Sequence, residues 1–200
     1  MIDFIIFGIK VRVSVGFWGL ICLMLYIDKS GLILPVIFAV ILHEAGHLLA
    51  LLLLKCKPER VELKVGAVGI LGNFPLKPKG EFIMFLSGSS VNIFCFSVLY
   101  IIYCFSKNLQ ILNYSLVMLV VGVMNLLPVI GLDGGSLIKI FLSSFLKIST
   151  AKNITVVFSI VTSIAITVLG INIFLNTKTN PSLVLLGIYL FLQILILKKS

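Results

Sequence analysis

The sequence predicts an α-helical polytopic membrane protein, with six transmembrane helices and a small β-sheet at the cytoplasmic face. Three observations predict it. Only 12% of the 200 residues are charged and 60% are hydrophobic, with a mean hydropathy of +1.23; soluble domains carry about 25% charged residues. Uncharged runs recur along the chain at the length of a membrane span, about 20 residues. The basic residues fall alternately on two sides of those runs, as the positive-inside rule requires.

The elements follow in order. Ile9–Val15 alternates apolar and polar residues, a period of two that reads as a short strand. Val13–Ile27 is a first span of 15 residues, bounded by Lys10, Arg12 and Lys29, whose long side chains reach the two surfaces. No small-residue cleavage site follows it, so a retained span is preferred to a signal-peptide core. Residues 30–54 form a second apolar stretch, interrupted only by His43, Glu44 and His47. Val61–Gly66 alternates like the first strand, and Gly72-Asn73 reads as a turn. The two strands form the small sheet.

Residues 82–106 contain no Lys, Arg, Asp or Glu, and Gly88-Ser89-Ser90 within them offers a surface for close helix packing. The uncharged run 108–132 contains Pro128, which ends or kinks its helix near Asn125. Gly131–Gly135 reads as a flexible stretch carrying one acid, Asp133, and Ile140–Leu146 as a short amphipathic helix. Residues 153–177 and 179–197 are two further apolar spans. The four cysteines lack CxxC spacing and read as reduced packing residues. The whole reads as one integral-membrane domain, 1–200, without a soluble accessory domain.

With six spans, 13 of the 16 basic residues fall on one side, leaving Lys29, Lys107 and Lys178 on the other. Both termini are therefore expected in the cytoplasm. The net charge of +9 does not point to nucleic acid, because the charges sit at membrane boundaries and form no basic stripe interleaved with aromatics.

The polar residues inside the apolar runs carry the chemistry. The only two histidines are His43 and His47, four apart, so a helix places them on one face. Glu44 completes His43-Glu44-Ala45-Gly46-His47, a match to H-E-x-x-H. Both imidazoles can bind one zinc ion, with Glu44 beside an open position, as metal-assisted hydrolysis requires. An ionisable group at mid-membrane costs about 2.5–3.5 kcal/mol or more, and a divalent cation offsets that cost by favouring neutral imidazole and ionised carboxylate. A catalytic zinc site takes three protein ligands, and Asp133 is the best remaining candidate. Asn125 is read near the substrate. Asn92 reads as interhelical glue, with substrate contact kept as a tentative role.

His43-Glu44-Ala45-Gly46-His47 together with Asn125-Leu-Leu-Pro-Val-Ile-Gly-Leu-Asp133-Gly134 resembles the site-2 protease family of intramembrane zinc metalloproteases. The short N-terminal lead, six spans and cytoplasmic termini look most like the stage IV sporulation protein FB group, which implies a bacterial inner membrane. The resemblance implies zinc ligation by His43, His47 and Asp133, a general base in Glu44, and an asparagine near the substrate path in Asn125. Gly88-Ser89-Ser90-Val91-Asn92 is similar to the family's Gly-Pro-x-x-Asn pattern, with Ser89 where proline is usual. The implied substrate is a membrane protein, such as a transcription-factor precursor or anti-sigma factor, cut in or next to a transmembrane segment. Regulatory membrane proteins are possible further partners. A helical substrate must unwind, and it is expected to add as a strand near Val61–Ile70, which includes Val65 and Gly66. The alternative is a non-proteolytic metal-binding membrane protein, a transporter or a scaffold. The scarcity of ionisable residues in the other spans weighs against a transport path.

Overall fold

The structure is a computed structural model and describes residues 2–6, 9–28, 30–64, 67–72, 75–178 and 181–198. It is mostly helical, with one four-stranded sheet. It divides into two compact units, Met1–Val123 and Met124–Ser200.

The first unit opens on the sheet. Its strands are β1 (Ile2–Ile6), β2 (Ile9–Val13), β3 (Arg60–Lys64) and β4 (Ala67–Leu71), in the order β1-β2-β3-β4. β1 pairs antiparallel with β2, β2 parallel with β3, and β3 antiparallel with β4. The parallel pair, with Val11 opposite Val61, requires a long crossover. Helices α1 (Val15–Ile27) and α2 (Ile33–Leu53) supply it. The alternation seen in the sequence has a structural cause. Val13 and Val61 bury on one face, while Arg12 and Glu62 pair on the other. Arg12 makes a two-pronged bond to Asp3, both contacts 3.0 Å, and Arg60 lies 3.3 Å from Glu62. The Arg12 guanidinium beside Asp3 holds its carboxyl below the usual carboxylate range.

Ser14 caps α1 by accepting a hydrogen bond from the Phe17 N–H at 3.2 Å. At the other end, the Asp28 carboxylate accepts from the N–H groups of Ser30, Gly31 and Ile33 and from the Ser30 hydroxyl, tying the end of α1 to the start of α2. These bonds, the Ser30 hydroxyl first, hold its carboxyl below the ordinary range. Helix α3 spans Pro78–Ser106, with proline in its first turn, where a missing N–H costs nothing. Helix α4 (Leu109–Asn125) closes the first unit and runs two residues into the second.

The second unit contains α5 (Asp133–Ser143), α6 (Ile148–Thr177) and α7 (Ser182–Lys198). Val129, Val156, Leu190 and Ile194 form its buried core, so the segment between α4 and α5 packs onto α6 and α7. Lys55, Lys107 and Lys178 all adopt left-handed backbone conformations, φ 53–58°, just past the ends of α2, α3 and α6.

Two expectations are revised. Gly134 and Gly135 belong to the first turn of α5 and are not a flexible stretch. A Cβ on Gly134 would collide with the carbonyls of Leu126 and Leu127, and one on Gly135 with the Val129 carbonyl. The glycines are there for close backbone approach. Consequently the short helix begins at Asp133 and ends at Ser143, where the sequence placed it at Ile140–Leu146.

Among the described residues, three helices are long and apolar enough to cross a membrane: α2, α3 and α6, with 21, 29 and 30 residues. Helices α1, α4 and α7 are apolar but shorter, at 13, 17 and 17 residues. Many large apolar side chains on the long helices are exposed, among them Phe38, Phe94, Ile101 and Val161. Such a belt suits lipid contact. The chain is an integral membrane protein. The shortening of α1 and α4 has a local cause. Ser14 caps α1 so that it starts at Val15, inside its uncharged run, and the turn at 126–132 stops α4 before its own run ends.

Candidate metal centre

Helix α2 presents His43 and His47 on its buried face, 4% and 6% exposed. Their rings are nearly perpendicular, with centroids 4.7 Å apart. The two Nε2 atoms face each other at 3.1 Å. Nδ1 of His47 lies 2.7 Å from the Met84 carbonyl of α3. A carbonyl only accepts, so Nδ1 carries the proton and Nε2 keeps its lone pair. This is the arrangement that orients a metal-binding imidazole. Two nitrogens bound to one tetrahedral zinc lie about 3.3 Å apart, so the observed pair fits such an ion.

The α2–α3 crossing makes this geometry possible. A Cβ on Gly46 would stand 2.9 Å from the Ser87 carbonyl oxygen and 3.0 Å from the Gly88 Cα. A Cβ on Gly88 would stand 2.6 Å from His47 Nε2 and 2.8 Å from His43 Nε2. The backbone of α3 thus presses directly on the imidazole edges that would face a metal. Of the three-residue patch read in the sequence, Gly88 and Ser89 are buried and Ser90 is exposed.

Glu44 follows His43 on α2 and is half-buried. Asn92 lies one helical turn beyond Gly88 on α3 and is fully buried, its side-chain amide without a hydrogen-bond partner among the described residues. It packs against α4, where a Cβ on Gly122 would stand 3.1 Å from the Asn92 Cβ. In the second unit, Asn125 is the last residue of α4 and Asp133 the first of α5, both half-buried. An acid in a first helical turn is favoured by the helix dipole. Val65 and Gly66 lie outside the described residues, as does Asn73 of the expected turn.

Among solved structures, the chain is similar to the site-2 protease from Methanocaldococcus jannaschii. The TM-score is 0.70 at 22% identity, covering 96% of this chain and 93% of that one. The chain has the site-2 protease fold. No protein-family model and no curated protein matches it.

Within that fold, two partners of the histidines escaped the sequence reading. The Met84 carbonyl is a backbone group and leaves no mark on residue identity. The close approach of Gly88 to both rings was legible only as a small-residue patch, without its target.

Proposed function

We propose that this chain is an intramembrane zinc metalloprotease, hydrolysing a peptide bond in or next to a transmembrane segment of a membrane-associated protein. One observation carries the reading: the paired Nε2 atoms of His43 and His47, 3.1 Å apart on a helix long and apolar enough to cross a membrane, with Glu44 beside them in sequence. Buried imidazoles in lipid need a compensating partner, and a divalent ion is one.

His43, His47 and Asp133 are the proposed donor set for one zinc ion per chain. Two neutral imidazoles and one carboxylate leave a net charge of +1 and suit zinc. Bound zinc supplies Lewis acidity and acidifies water. Glu44 accepts the proton of the attacking water on a carboxylate oxygen and delivers it to the departing amine nitrogen. Asn125 donates its side-chain amide to the substrate backbone, holding the scissile carbonyl. Asn92, Val65 and Gly66 complete the proposed substrate contacts.

In this reading α1, α4 and α7 also span, giving six spans with both termini in the cytoplasm of a bacterial cell. The charge count supports it. The substrate is a transcription-factor precursor or an anti-sigma factor, and regulatory membrane proteins act as partners.

Chelation of the purified protein should abolish cleavage of a membrane substrate, and added zinc should restore it. Asp133→Ala should lower zinc occupancy well below one per chain by metal analysis; a normal stoichiometry removes Asp133 from the ligand set.

The substrate is proposed to unwind and add to β4, which pairs with β3 alone among the described residues. Proline takes away a strand's N–H donors. A proline scan of Ala67–Leu71 should therefore slow cleavage while zinc content holds. Uniform parental rates across the scan count against strand addition.

A further inference from the structure

We propose that Ser159 is a positioning residue for Asp133, holding the turn that delivers the carboxylate. Gln193 braces the same turn. The inference rests on the reading of Asp133 as a metal ligand, and its observations all lie within the second unit.

The turn from α4 to α5 is short and tightly wound. Val129 N–H reaches the Leu127 carbonyl at 2.7 Å, and Leu132 N–H reaches the Val129 carbonyl at 3.0 Å. Gly131 sits at φ +95°, a conformation that favours glycine. Gly134 and Gly135 lie against the carbonyls of Leu126, Leu127 and Val129. These contacts shape the turn, and α6 and α7 anchor it.

The first anchor is Ser159 on α6. It is fully buried, and its hydroxyl accepts the Ile130 N–H at 2.9 Å. The same hydroxyl donates to the Thr155 carbonyl at 2.7 Å. Both capacities of one side chain are used, which fixes where the oxygen stands. Ile130 precedes Asp133 by three residues, so its N–H bond sets the backbone just before the carboxylate. The second anchor is Gln193 on α7. A Cβ on Gly131 would collide with its amide nitrogen and stand 2.9 Å from its Cδ. Its buried Oε1 has no hydrogen-bond partner among the described residues. A polar side chain kept there in an apolar helix is explained if its amide braces the turn.

Neither residue touches a metal. Each acts through backbone, and groups that orient metal ligands change metal affinity by about 10–100-fold when lost. Ser163 is the matched control. It lies on the same helix and is equally buried, but its hydroxyl donates only to the Ile160 carbonyl of its own helix.

The experiment measures zinc affinity of the full-length protein in detergent by chelator competition, with melting of the metal-free protein recorded in parallel. Ser159→Ala should weaken zinc binding about tenfold, read well below the melting temperature, and melt earlier without metal because the Ile130 N–H loses its acceptor, while Ser163→Ala stays within twofold of the parent's affinity. Gln193→Leu, which keeps the bulk and removes the amide, should weaken zinc in the same direction. The proposal is overturned if Ser159→Ala binds zinc within twofold of the parent, or if Ser163→Ala loses as much. Should Ser159→Ala not fold, parental affinity in Gln193→Leu overturns it. A parent that binds no zinc sinks the protease reading itself, a separate result.

Discussion

Glu44→Gln is expected to lower the rate of substrate cleavage by a factor of about 100 or more, while zinc content stays at the parental level. The substitution keeps shape and removes the carboxylate, so it isolates the proton transfer. Glu44 lies next to His43, a proposed ligand, yet is absent from the proposed donor set. An amide there neither accepts the proton of water nor returns one to the leaving nitrogen. Cleavage rates and metal analysis on the same preparation decide the matter. Parental cleavage by the variant excludes Glu44 as base, and loss of zinc along with activity makes it a structural residue instead.

Gly88→Ala should empty the proposed zinc site without dissolving the fold. The added Cβ would stand 2.6 Å from His47 Nε2 and 2.8 Å from His43 Nε2, closer than non-bonded atoms tolerate. The rings must turn away, and His47 turns only by giving up its 2.7 Å bond to the Met84 carbonyl. Zinc affinity is expected to fall at least about tenfold, the scale of losing a ligand's orienting bond. Gly46→Ala makes a useful contrast. Its Cβ would meet the Ser87 carbonyl and the Gly88 Cα, which are backbone. The helices must separate, so the expected effect is a stability loss of about 1–3 kcal/mol. Metal analysis beside thermal melting separates the two outcomes. Full zinc occupancy in Gly88→Ala would show that the space above the imidazoles is not where the ion binds.

Much of the fold was legible because residue pattern and local geometry coincide. The His43-Glu44-Ala45-Gly46-His47 run sits on a helix, and two histidines four apart must share a face. The alternation read over Ile9–Val15 and Val61–Gly66 overlaps β2 and β3, which run Ile9–Val13 and Arg60–Lys64. Their partners were not legible. β1 reads Ile-Asp-Phe-Ile-Ile and β4 reads Ala-Val-Gly-Ile-Leu; neither alternates throughout, and Gly69 in β4 has no side chain to mark a face. An outer strand is specified by its neighbour as much as by its own pattern. The start of α5 was missed for a different reason. Two consecutive glycines weaken a helix in isolation, and only the packed carbonyls of the preceding turn explain them. Of the candidate site, the histidine pair on one helix face was readable, whereas the backbone acceptor at Met84 and the hydroxyl anchor at Ser159 depend on tertiary contact.

The left-handed lysines after α2, α3 and α6 carry a design consequence. Glycine would take the same dihedral angles without the steric penalty, about 1 kcal/mol, that a side chain pays there. Lysine instead adds a positive charge just past each helix end, where the dipole favours a cation, and in the proposed six-span arrangement Lys107 and Lys178 are two of the three basic residues on the sparser side. Swapping these lysines for glycine would relax the joints and erase part of the signal by which the insertion machinery reads which way round the chain goes. Thermal robustness and correct threading would then pull in opposite directions.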